Sequence, residues 1–100
     1  MKPVNIHRQA KAELDAAIAY YQGEKNGLGL EFLDEVRRTE NLIQQFPQLG
    51  TPYQDTEFRT RKIKRFPYVL VYCDLEDGLW LIAVAHSKKR PGYWLSRTPG

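Results

Sequence analysis

The stretch "YVLVYCDLEDGLWLIAVAH", residues 68–86, decides how this chain folds. Its two apolar runs, YVLVYC and LWLIAVA, are hydrophobic at odd and even positions alike. A strand with one wet face alternates apolar with polar residues, so these runs predict central strands covered on both sides. Between them, DLEDG has the composition of a hairpin turn, with an Asp-Gly pair suited to positive φ. The stretch therefore predicts the middle of an antiparallel sheet and requires a cover for each face.

Working outward, "FRTRKIKRF" (residues 58–66) carries cations on both parities and predicts a third strand that is not fully buried. "PQLGTPYQD" before it is turn and loop chemistry. Further upstream, Ala10, Leu14, Ala17, Ile18 and Tyr21 recur at steps of three and four, predicting an amphipathic helix over residues 8–24. "GEKNGLG" breaks it, and Leu28, Phe32, Val36, Thr39, Ile43 and Phe46 mark a second helix that Pro47 stops. A link this short makes the pair an antiparallel hairpin with one apolar face. The opposite face receives Glu13, Asp15, Glu31, Asp34, Arg37 and Arg38. "PVNI" (residues 3–6) is short and β-branched enough for a strand. The fold class is α+β: a two-helix hairpin packed on a small twisted antiparallel sheet. Residues 1–100 form a single domain, with a flexible end at about 95–100.

Composition narrows the chemistry. "MKPVNIHRQAK" lacks the apolar stretch of a leader, and no run approaches the ~20 apolar residues of a membrane helix. A soluble, cytoplasmic protein without membrane association is the expectation. One cysteine and two histidines make a metal site improbable, and no cofactor motif occurs. Cys73 reads as a small buried side chain, and His7 as a local cap or surface residue. The net charge of +3 is unevenly spread. Residues 1–50 hold six basic and seven acidic side chains, residues 51–100 nine and five. The excess lies in "RTRKIKR" and "KKR", which form either a solvated basic face or a patch for a polyanion or an acidic partner.

"AVAHSKKRPGYW" (residues 83–94) places a histidine, three cations and two aromatics just past the last strand. Such a group suits metal-free RNA cleavage, in which a 2′-hydroxyl attacks the adjacent phosphorus. His86 would be base or acid, Arg61, Arg65 and Arg90 would grip the phosphate, and Tyr93 would donate a proton or stack. Sheet order would bring Arg61 or Arg65 to the 86–94 segment in one groove opposite the helices. The catalytic candidates are Arg61, His86, Arg90 and Tyr93, and the RNA-binding candidates Lys62, Lys64, Arg65, Lys88 and Lys89. Each has a structural alternative: strand-edge charges for the arginines, a solubilising run for KKR, and an apolar plug for Trp94.

"RRTENLIQQFPQLGTPYQD" followed by "RTRKIKRFPYVLVYCDLEDGLWLIAVAHSKKRPGYWLSR", with "KAELDAAIAYYQ" and "GLGLEFLDEV" upstream, resembles the RelE/ParE superfamily of toxins from type II toxin–antitoxin systems. The resemblance spans nearly the whole chain. It implies the fold above and a cognate antitoxin as partner. It also implies one of two activities. RelE-like members are ribosome-dependent mRNA endoribonucleases, with ribosome and mRNA as partners, whereas ParE-like members inhibit DNA gyrase without catalysis. Arg61 matches the superfamily's strand arginine, and His86, Arg90 and Tyr93 fall where nuclease members keep functional groups. "FPYVLVY" leans towards ParE. The nuclease is the first expectation and gyrase inhibition the alternative. A member that only binds its antitoxin is a third.

Overall fold

The computed structural model describes residues 2–99. Strand β1 (Val4–Ile6) leads into helices α1 (Arg8–Glu24) and α2 (Leu28–Gln45), followed by strands β2 (Thr51–Pro52), β3 (Arg59–Lys62), β4 (Tyr68–Leu75) and β5 (Gly78–His86). The five strands form one sheet in the order β1-β5-β4-β3-β2. β4 and β5 lie at its centre, as their two-sided hydrophobicity requires. The expected antiparallel sheet is in fact mixed, because β1 pairs parallel with β5, Val4 opposite Leu79 and Ile6 opposite Leu81. Three residues of sequence carry no signal for the direction of a partner strand.

The β4–β5 hairpin turns on Glu76 and Asp77, and Gly78 opens β5 at φ 154°. A Cβ on Gly78 would meet the Asn5 side chain at 2.7 Å and the Pro3 carbonyl at 2.9 Å. The glycine expected to serve the turn therefore also admits β1 alongside β5.

The helical hairpin follows the expected boundaries, and its sequence explains how. His7 Nδ1 accepts the Gln9 amide at 3.0 Å, capping α1. At the other end Gln22 reaches across the link. Its Oε1 accepts the amides of Gly27 (3.0 Å) and Gly29 (3.3 Å), which open α2 and have no intrahelical acceptor. Gly29 lets the helices approach closely, since a Cβ there would lie 2.7 Å from the Ile18 carbonyl oxygen. The shared apolar stripe places Leu14, Ala17, Phe32 and Val36 on Leu70, Leu81 and Val84 of the sheet. The sheet's other face buries Phe58, Val71, Cys73, Ile82, Ala83 and Ala85 together with Trp94. Burial pushes the Cys73 thiol up to about 11, so it stays an inert protonated filler.

The third strand is shorter than residues 58–66. Ile63 and Phe66 are both buried in the core beneath the helices. Positions three apart face opposite sides of a strand, so both can reach that core only if the chain turns between them. It does so with Arg65 at φ 73°. β2 lies within the stretch expected as loop and is too short for any periodicity to reveal.

Tyr72 ties the loop after α2 to the sheet. Its hydroxyl accepts the Gly50 amide at 2.8 Å and donates to the Pro47 carbonyl at 2.7 Å. Tyr72→Phe removes both bonds and strands a buried amide, which costs about 1–3 kcal/mol. Chemical denaturation should report that loss with an unchanged slope, because the surface exposed on unfolding is the same.

Candidate functional site

Past β5 the chain folds back over the sheet face opposite the helices. Trp94 is buried there, packed edge-on to Tyr53 (centroids 4.7 Å apart) and Phe58 (5.4 Å). This is the plug reading of Trp94. Gly92, at φ 81°, makes the turn, and a Cβ there would come within 2.9 Å of the Tyr53 hydroxyl. Between tail and sheet lies a cleft of about 210 Å³. Val69, Val71 and Ala85 line it together with Tyr53, His86, Lys89 and Arg90.

The tail is held by a network centred on Glu13 of α1. Arg97 grips its carboxylate with two guanidinium nitrogens, each at 2.9 Å, and Tyr93 donates its hydroxyl at 2.6 Å. The Val84 amide adds a third donor at 3.0 Å, and Arg97 also donates to the Ile82 carbonyl at 3.0 Å. β1 covers β5 only as far as Leu81, and Ile82 is the unpaired residue of a β-bulge. The Glu13–Arg97 pair thus supplies an acceptor and a donor where β1 leaves the edge of β5 uncovered. Burial alone would raise the Glu13 carboxyl, but its bonds from Arg97, Tyr93 and Val84 outweigh this, and its pKa lies below the ordinary value. Burial and the bond to Glu13 push Tyr93 far above the usual phenol range.

Several expectations change here. Glu13 belongs to the tail network and not to the solvent face of the hairpin. Arg97 lies in the segment expected to be flexible, yet its side chain is only 10% exposed. No sequence periodicity flags either residue, because the pair is 84 positions apart. Tyr93 keeps its own proton and donates it in a hydrogen bond to an internal carboxylate.

His86 sits opposite Tyr68 and stacks edge-on against its ring at 5.0 Å, towards the helix side. Its Nδ1 accepts the Lys88 amide at 3.0 Å. In the neutral ring that bond leaves the proton on Nε2. Arg61 does not join it. Arg61 pairs with Leu70, in the layer under the helices, and with Lys62 and Lys64 lines a groove against Arg38 and Leu42 of α2. Arg61 therefore stands two strand spacings, ~10 Å, from β5. Arg65 is bound to Glu31 of α2 at 2.7 Å. Lys88 is exposed, and Lys89 lies over the Tyr93 ring at 4.7 Å. The structure thus brings Lys89, Arg90 and Tyr93 to one cleft, which His86 borders at the strand end with its ring turned to the helix side. It places Arg61, Lys64 and Arg65 elsewhere, while Lys62, paired with Val69, lies on the cleft's face of the sheet one strand away. Among the described residues no group of three or more metal-ligating side chains occurs, and no helix is long and apolar enough to cross a membrane.

The sequence profile described as "ParE toxin of type II toxin-antitoxin system, parDE" matches residues 4–91. The chain belongs to the ParE toxin family. A solved chain described as "Chromosomal ParDE TA system from P. aeruginosa" superposes with a TM-score of 0.75 at 20% identity. The match covers 88% of this chain and 98% of that one, and at such identity it speaks for the fold. No curated protein sequence matches closely enough to count as a relative. As a ParE-family toxin of a type II system, the protein implies a cognate antitoxin.

In this ParE-family chain, Glu13→Ala leaves Arg97 buried without its partner, a loss of about 3 kcal/mol or roughly 15 °C in Tm. The pH dependence has a definite sign. A carboxyl with a lowered folded pKa contributes fully above its unfolded value, ~4.3, and loses that contribution as pH falls through the folded value. Denaturation curves at neutral and acid pH should therefore show wild type well above Glu13→Gln at neutrality, with the gap closing in acid.

Proposed function

We propose that this toxin arrests growth as a ParE-type inhibitor of DNA gyrase, binding its target as a protein through the basic face of the 86–94 tail. The observation that carries this reading is the fixing of Tyr93. A nuclease at this tail would call on Tyr93 as proton donor and Arg61 as phosphate clamp. The Tyr93 hydroxyl is committed to Glu13, and Arg61 lines a separate groove. What remains is a rigidly mounted loop bearing Lys88, Lys89 and Arg90 beside a half-apolar cleft, which is interface material. Membership in the ParE family supports the same reading. The site of action is then the cytoplasm, and the antitoxin is the second protein partner.

The ribonuclease reading retains one supporting feature, the nearness of His86 and Arg90 just past β5, with the His86 ring turned to the helix side. It needs His86 to give up the Lys88 amide before the ring can act as a base.

The deciding experiment runs two assays on the same toxin preparation. Supercoiling by purified gyrase should be blocked by wild type. It should be restored by reversing Lys88, Lys89 and Arg90 to glutamate, which leaves Trp94 and Arg97 in place. Deleting the whole tail would instead remove core residues. Primer extension on mRNA from a translating extract should show no new 5′ ends. Ribosome-dependent cuts that vanish in His86→Ala, with supercoiling untouched, would replace this reading by the nuclease.

A further inference from the structure

The cleft beneath the tail has a shape and chemistry more specific than a basic patch. Its volume, about 210 Å³, equals that of roughly seven water molecules. That is below the ~300 Å³ at which small-molecule sites begin. One extended side chain fits within it and leaves room for several water molecules. Val69, Val71 and Ala85 offer a hydrocarbon wall from the sheet, and Lys89 and Arg90 stand along the cleft. Arg90 has no carboxylate partner among the described residues, and neither has Lys89, which rests on the Tyr93 ring. The Tyr53 ring lines the cleft, held against the Gly92 turn, and its hydroxyl makes no hydrogen bond among the described residues.

We infer that this cleft is a socket for a single acidic side chain with an apolar stem, a glutamate of the protein target. The methylenes lie along Val69, Val71 and Ala85, and the carboxylate meets Arg90 and the Tyr53 hydroxyl. A phosphate would use the cations but leave the hydrocarbon wall unfilled, so the lining favours the carboxylate. The inference deepens the protein-target reading and rests on it for the source of the glutamate.

The test uses hexanoate, hexanamide and inorganic phosphate as probes of the intact toxin, followed through its backbone amide resonances. Hexanoate should shift the signals of Ala85 and of Lys89–Tyr93 saturably, in the millimolar range expected on the order of magnitude for so small a ligand. Hexanamide and phosphate should bind roughly tenfold more weakly, the loss of one charge-assisted contact or of the apolar one. Arg90→Ala should weaken hexanoate binding similarly. Ala85→Leu, which fills the wall without changing charge, should abolish it, with thermal melts confirming that both variants fold. Failure of hexanoate to saturate, or phosphate binding as well as hexanoate, overturns the socket. Supercoiling assays separate the two levels. If wild type blocks gyrase and hexanoate does not bind, the socket alone falls. If hexanoate binds as expected and gyrase is unaffected, the socket stands and gyrase as the target falls.

Discussion

β4 and β5 are hydrophobic on both faces, so neither face of the sheet's centre can be left to water. The two helices cover one side through Leu14, Ala17, Phe32 and Val36. The chain after β5 must cover the other, which it does with Trp94 against Phe58, Val71 and Ile82. The tail is thus part of the core as well as the bearer of the basic loop. A single buried tryptophan of this kind is worth about 3–5 kcal/mol on truncation, a sizeable share of the ~5–15 kcal/mol that holds a domain together.

Covering a face does not by itself fix a loop, and Glu13 supplies the fixing. One carboxylate receives Arg97, Tyr93 and the Val84 amide. Three parts of the chain are thereby joined: the first helix, the bulged part of β5 and the tail around Trp94. Lys88, Lys89 and Arg90 are presented on a mount that is internally satisfied. A binding loop so held loses less conformational freedom when it meets a partner.

The fold was legible because it rests on patterns with short periods. The i, i+3, i+4 stripes gave both helices nearly to the residue, and two-sided hydrophobicity placed β4 and β5 at the centre. Elements of two or three residues escaped, since β2 is shorter than any period and β1 is too short to state its direction. The candidate site was legible only in part. That Lys89, Arg90 and Tyr93 share a cleft follows from their nearness in sequence, whereas the side to which His86 turns its ring depends on its register opposite Tyr68. The exclusion of Arg61 depends on which face of β3 it occupies, and the turn at Arg65 sets where that strand stops. Glu13 and Arg97 are ordinary charges on the page. Their importance comes from a bulge at Ile82 that shifts the free edge of β5, a feature no local pattern encodes.

The two capping devices also differ in when they become available. Gln22 satisfies Asn26, Gly27 and Gly29, all within seven residues, so the link between the helices needs nothing made later in the chain. Glu13 must wait for partners 80 and 84 residues downstream. Until they emerge, the basic loop has no mount. The order of translation therefore delays fixing of the Lys88–Arg90 loop until after Arg97 has emerged.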